Sequence, residues 1–196
     1  MAAAQSIAAV SAVLVGLLQD RYPRKDFGPA LPVQAYQPRN FDDAMKEGIA
    51  VCLWRIAPNV NRRNPGPRTE VPSGRKFRPS LPFDLYYLIV PFAENPERQQ
   101  RLLGWILQAM HDLGPLGAPQ LNHYLAESDI FAAEEAIDAV ADPLGVGDYL
   151  TLWDRVKRLP PAASYVVRMV MIDSQTELVD APLVEERRFD LGVIER

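Results

Sequence analysis

The sequence predicts a single α/β domain: a mixed β-sheet with helices packed on its faces, one long basic loop and a C-terminal arm. Three observations predict it. Gly48–Ile56, Phe83–Phe92 and Ser164–Ile172 are apolar at odd and even positions alike, as strands covered on both faces are. Between and before them run about three helical stripes, enough to cover a mixed sheet in layers. The chain has 196 residues, 48% hydrophobic and 23% charged, which is one ordinary globular domain with a proper core. Where the helices leave an apolar face bare, that face is expected to meet another subunit.

The elements follow in order. Ile7, Val10, Leu14, Leu17 and Leu18 share one helical stripe, and Pro23 ends that helix near Tyr22. Met1–Leu18 has no basic n-region and no small-x-small cleavage site, and it is too short and polar to span a bilayer. It is therefore expected to be the amphipathic first helix of a cytosolic protein. Val33–Gln37, bracketed by Pro32 and Pro38, suits a short edge strand. After the strand Gly48–Ile56, residues 57–82 hold six prolines, three asparagines and two glycines, with no periodicity. A loop that long in a compact domain is usually functional or disordered. Phe83–Phe92 is the next strand. Asn95 can cap a helix with Pro96 at its first position, and Leu102, Leu103, Ile106, Leu107 and Met110 form its stripe before Gly114 ends it. Residues 115–133 suggest a partly irregular connection. Ala136–Leu144 resembles an edge strand closed by Pro143. Asp148 is placed to cap a helix carrying Leu150, Leu152, Trp153 and Val156 that stops before Pro160. The strand Ser164–Ile172 follows. The boundaries are thus 1–179 for the domain, with 57–82 projecting from it, and 180–196 for an arm that alternates weakly around Val184, Phe189, Leu191 and Val193.

Charge is unevenly spread. Residues 57–82 carry Arg62, Arg63, Arg68, Arg75, Lys76 and Arg78 against Glu70, so the loop is +5 in a chain of −4 and the rest is −9. Glu127, Asp129, Glu134, Glu135, Asp138, Asp142, Asp148 and Asp154 fall within 28 positions that hold no Lys or Arg. A charge run of this kind usually faces solvent or a partner. Unlike surfaces on one chain suit head-to-tail contacts between copies. The alternative is a nucleic-acid-binding module using the basic loop. Against it, only Phe77 interleaves with the basic residues as a stacking aromatic, and the remaining −9 repels a polyanion.

The residues argue against catalysis and against a metal or cofactor. A single cysteine makes no disulfide framework, and Cys52 lies in an apolar strand where a thiol acts as a small hydrophobe. His111 and Asp112 are adjacent on a helix and so point in different directions. A histidine in the last turn has a simpler use against the terminal carbonyls. His123 has no evident partner. Leu144–Gly147 lacks the glycine spacing and lysine of a phosphate loop, and the acidic run lacks the spacing of an EF-hand. No basic amphipathic helix or lipidation signal points to direct membrane contact.

Several stretches together carry a resemblance. They are Ile7–Ala12, Leu53–Asn59 running into Arg63-Asn64, Leu81–Pro91, Arg101–Gly104 with Met110–Asp112, Leu152-Trp153, and Tyr165–Asp173. Their order and spacing over residues 6–175 resemble the tail-terminator or cap family of the extracellular contractile injection systems, which are phage-tail-like particles. The resemblance implies a structural protein and not an enzyme. It implies six copies in a homo-hexameric ring at the membrane-proximal end of the inner tube, ending its growth and anchoring the last sheath ring. The implied partners are the chain itself, the tube protein and the sheath protein, with no nucleic acid, cofactor or membrane insertion. Assembly is expected in the bacterial cytoplasm, after which the chain is part of the released or membrane-docked particle. The loop residues Arg62, Arg63, Arg68, Arg75, Lys76 and Arg78 are expected to face a neighbour or the tube. Val184, Glu185, Arg187 and Phe189 of the arm are expected to face the sheath, adding a strand to it. Some members carry an extra C-terminal domain, and this chain is expected to have none.

Overall fold

The computed structural model describes residues 5–62, 65–71, 73–125, 130–156 and 159–179. Helix α1 (Ser6–Arg21) buries Val10, Val13, Leu14, Leu17 and Leu18 and stops before Pro23, as the apolar stripe requires. A single turn, α2 (Arg24–Phe27), leads to β1 (Val33–Tyr36). Then come β2 (Gly48–Pro58), the small strands β3 (Arg68–Thr69) and β4 (Lys76–Phe77), and the long β5 (Leu81–Phe92). Helix α3 (Pro96–His111) starts at Asn95, whose side chain accepts the Glu97 N–H at 2.8 Å. After it run β6 (Leu116–Gly117), α4 (Ala118–His123), β7 (Ala136–Ala141), α5 (Val146–Arg155) and β8 (Ala163–Ile172).

The main sheet has the order β1-β2-β5-β8-β7-β6. Only β1 and β2 are parallel; the other neighbours are antiparallel, so the sheet is mixed. On one face Ile49 and Val51 of β2, Leu85, Tyr87 and Ile89 of β5, and Tyr165 and Val167 of β8 meet α1, α3 and α4. On the other, Ala50, Cys52, Leu88, Val90 and Phe92 are covered by Tyr36, Phe41 and Leu159, with Leu152 and Val156 of α5. Each fully buried Leu or Ile contributes about 2 kcal/mol. This two-sided burial explains why β2 and β5 read as continuous apolar runs.

Two bulges shape the far end of the sheet. Pairing jumps from Leu53–Tyr87 to Arg55–Tyr86, leaving Trp54 as an extra residue in β2. In β8 the pairing jumps from Phe83–Val170 to Leu85–Val167, so Arg168 and Met169 together oppose Asp84. Met169 takes φ 66°, and its N–H is held by Asp84 Oδ1 at 3.2 Å. The same carboxylate oxygen accepts Asn59 Nδ2 at 2.9 Å. Buried Asn59 in turn accepts the Asn61 N–H at 2.9 Å, fixing how the chain leaves β2.

Several sequence expectations need correction. The strand Gly48–Ile56 extends to Pro58, and past Cys52 its residues are half-buried or exposed. Residues 57–82 are not without regular structure: they hold a 3-10 turn at Val60–Arg62 and the β3–β4 pair. The connection 115–133 contains β6 and α4. Asp148 is not the cap of α5; Gly145 occupies that position, and Asp148 lies in the first turn, where its charge complements the helix N-terminus. None of α5 is fully buried. The arm, 180–196, lies outside the described residues.

Candidate assembly interface

The basic segment folds into a hairpin with its own polar turn. Glu70 N–H donates to the Arg75 carbonyl at 2.9 Å and Gly74 N–H to the Glu70 carbonyl at 2.8 Å. Gly74 has φ +71°, a left-handed conformation that disfavours a Cβ. Ser73 Oγ donates to Glu70 Oε2 at 2.7 Å, and Arg75 pairs with the same oxygen at 2.9 Å. The Ser73 hydroxyl first, and Arg75 second, hold the Glu70 carboxyl below its usual range.

The hairpin is strapped to the chain that follows β8. Arg78 N–H donates to the Thr176 carbonyl at 2.9 Å and Leu178 N–H to that of Lys76 at 2.7 Å, around a bridge between Phe77 and Glu177. The buried Phe77 ring has two guanidinium groups over it, Arg68 at 4.6 Å and Arg75 at 5.3 Å from its centroid. Arg68 also meets Asp173 at 3.5 Å, and Ser80 donates to that carboxylate at 2.5 Å. Arg75 lies 3.9 Å from Glu177.

The sequence-predicted site residues therefore divide. Arg68 and Arg75 act within the chain, as cations over the Phe77 ring and as ion-pair partners. Arg62, Lys76 and Arg78 have exposed side chains and bring positive charge to the surface. Arg63, and the arm residues Val184, Glu185, Arg187 and Phe189, lie outside the described residues. Arg62 lines a hollow together with Phe131, Ile137, Met169, Met171 and the carboxylates Glu134 and Glu135. Burial lifts the Glu135 carboxyl above the usual range, although the Ala132 N–H bonded to it at 2.7 Å pulls the other way.

Sequence reasoning missed a second surface. On α5, Leu152 and Val156 face the sheet, while Val146, Leu150 and Trp153 face solvent with relative exposures of 77%, 60% and 50%. The signal was present: apolar residues cover too much of this helix's circumference for one buried stripe.

The groups with chemical potential sit apart. His111 is exposed in the last turn of α3, and His123 is exposed with its ring 4.9 Å from that of Tyr124. Burial pushes the Cys52 thiol up to about 11. Among the described residues no three His, Cys, Asp or Glu side chains are grouped to hold a metal ion, and no helix is long and apolar enough to cross a membrane.

Comparison with known proteins places this geometry. The fold matches a solved chain of an extracellular contractile injection system, the PVC sheath/tube terminator in its extended state, with a TM-score of 0.59 and 13% identity; the match covers 95% of this chain and 65% of that one. It also matches the tube-terminating cap of the anti-feeding prophage, with a TM-score of 0.60 and 13% identity over 93% of this chain and 60% of that one. At that identity the likeness is one of fold, and this chain spans less than two thirds of either. A search of curated proteins gave no match. Residues 9–186 match the Pvc16 N-terminal domain, and the chain belongs to that family.

Proposed function

We propose that this chain is a structural terminator: it caps the inner tube of a contractile injection particle and anchors the last sheath ring. The observation that carries the reading is the family match over residues 9–186, on a fold shared with two solved terminators. The physical character of the domain supports it. A sheet buried on both faces along most of β5 makes a stiff wedge, and its distinctive surface features are charged and apolar patches suited to assembly.

In this reading six copies form a ring on the tube end, in the bacterial cytoplasm, before the particle is released or docked. The domain is 1–179, and its hairpin residues Arg62, Arg63, Arg68, Arg75, Lys76 and Arg78 contact a neighbour or the tube, with Arg68 and Arg75 acting by holding the hairpin in shape. The arm 180–196, through Val184, Glu185, Arg187 and Phe189, adds a strand to a sheath subunit, where backbone hydrogen bonds supply the attachment.

Electron microscopy of particles from cells with and without the chain tests this. Density for the chain is expected at one tip only, and its loss should give tubes of irregular length with unseated sheaths. Removal of Pro182–Arg196 should leave the cap in place but loosen the sheath. Particles of normal length with seated sheaths in the absence of the chain overturn the reading.

A further inference from the structure

Nine large hydrophobic side chains are exposed among the described residues, and eight of them fall into two patches. Ile56, Val60, Val71, Leu81 and Val179 lie where β2 ends, β5 begins and the hairpin hangs beyond β8. Val146, Leu150 and Trp153 recur at i, i+4 and i+7 and form one stripe on the outside of α5. Apolar patches of this kind mark contact surfaces.

The patches differ in charge and in place. Exposed Arg55, Arg62, Arg75, Lys76 and Arg78 surround the first. Exposed Asp154, four positions after Leu150, borders the second, with Arg155 at the end of the helix and Asp142 just before it; Asp148 lies on the opposite arc of α5. Helix α5 packs on the cluster that holds Leu88, which pairs with Ser164 at the start of β8, whereas the hairpin hangs on the chain beyond its last residue. Ten residues of strand, about 33 Å at ~3.3 Å each, separate those two points. Both patches stay exposed within one chain.

We infer that the outer face of α5 is the docking surface for the hairpin end of a second copy of this chain. The inference rests on the self-association proposed above and deepens it by naming the two surfaces that meet. Trp153 and Leu150 supply the apolar centre of the contact, where a large aromatic carries most of the binding energy. Asp154 at its rim meets Arg78 of the second copy and sets the orientation. Because the two surfaces are unlike, every copy that joins leaves one of each free. Such a contact propagates head to tail and ends only when a ring closes.

Two variants of the full chain test it. Leu150→Glu with Trp153→Glu spoils the α5 face; Val71→Asp with Arg78→Glu spoils the hairpin end. All four side chains are exposed, so circular dichroism and thermal unfolding should match the wild type. In sedimentation at low salt the wild type is expected to form higher oligomers, and each variant alone should stay monomeric. Their equimolar mixture should give a heterodimer and nothing larger, since only one competent pair of surfaces remains. The inference is overturned if the mixture stays monomeric, if the α5 variant associates like the wild type, or if the wild type itself is monomeric at the highest concentration reached. Loss of tube binding by the α5 variant, with a monomeric wild type, identifies the tube as the occupant and equally overturns it. Absence of the chain from particle tips refutes the terminator reading by itself, whatever the sedimentation shows.

Discussion

The hydroxyl of Tyr87, in the middle of β5, lies 2.9 Å from that of Ser11 on α1. Tyr87 is fully buried, so this contact satisfies a polar atom that water cannot reach. Ser11 Oγ also lies 3.4 Å from the Ile7 carbonyl, which accepts from it. A hydroxyl has one proton to give, so Tyr87 donates to Ser11 and Ser11 donates up its own helix. The first helix is thereby registered on the central strand by a polar pin inside an apolar layer.

That assignment predicts an asymmetry. Tyr87→Phe removes the donor and leaves Ser11 its carbonyl partner, at a cost of about 1 kcal/mol. Ser11→Ala strands the phenolic proton in the core and should cost more, about 1–3 kcal/mol. Adding Tyr87→Phe to Ser11→Ala should recover most of the difference. Urea unfolding of the three variants measures it, and equal losses in the two single variants contradict the direction of the bond.

Burial also makes the domain sensitive to alkali. It raises Tyr87 from the ordinary 10.0 to about 12, against the pull of the Ser11 bond, and Cys52 from 9.0 to about 11. Tyr22, Tyr124 and Tyr165 are raised as well, again chiefly by burial. Each group is neutral when protonated and its anion is poorly solvated in the fold. Its contribution is therefore complete below the unfolded value and is lost as pH rises through the folded one. Stability should fall from about pH 9 and continue falling to about pH 12. A two-unit shift corresponds to roughly 2–3 kcal/mol for Tyr87 and a similar amount for Cys52. Urea midpoints across that range check the slope, which Tyr87→Phe should flatten above pH 10 and Cys52→Ala between pH 9 and 11.

The close approach of Tyr124 to α1 gives a third prediction. A Cβ on Gly16 would sit 2.2 Å from Tyr124 Cδ1, so the ring must move, and its hydroxyl bond to Asp20 at 2.9 Å breaks with it. Alanine is the better helix former by about 1 kcal/mol, but overpacking of this kind costs about 1–3 kcal/mol. Gly16→Ala should therefore destabilise the wild type and stabilise a Tyr124→Ala background. The reversal of sign, read from thermal unfolding, separates a steric cost from any need for backbone freedom.

These contacts show what the sequence could and could not tell. Both-parity apolar runs in β2 and β5 identified the doubly covered sheet, because burial on each face leaves no polar alternation. Asn95-Pro96 located the start of α3, because capping is a local interaction. The pairing of Phe77 with Glu177 was illegible: it joins residues a hundred positions apart, and neither segment has a period. Arg68 and Arg75 could be recognised as charge, but the Arg68–Asp173 ion pair depends on that unseen pairing, and Arg75 meets Glu70 only because the hairpin turn brings them together. On α5 the spacing fixed the helix, yet which part of its broad apolar arc faces the sheet was decided by the tertiary fold.

The hairpin should open as a unit separate from the sheet. Its own buried anchor is Phe77, and its backbone bonds to the chain beyond β8 run through Arg78 and Leu178. Removing the ring takes away both the buried area and the surface on which Arg68 and Arg75 stack. In Phe77→Ala the amides of Arg78 and Leu178 should exchange at least about tenfold faster, equivalent to about 1.4 kcal/mol of local stability. Amides of Ile89 and Val167, in the centre of the sheet, should keep the wild-type rate of global opening. Phe77→Leu keeps much of the burial but loses the cation stacking, so it should fall between the two. Hydrogen exchange resolved by residue decides the matter. An equal acceleration at Ile89, Val167, Arg78 and Leu178 would mean that Phe77 supports the whole domain, and that the hairpin cannot reposition against a partner without unfolding the sheet.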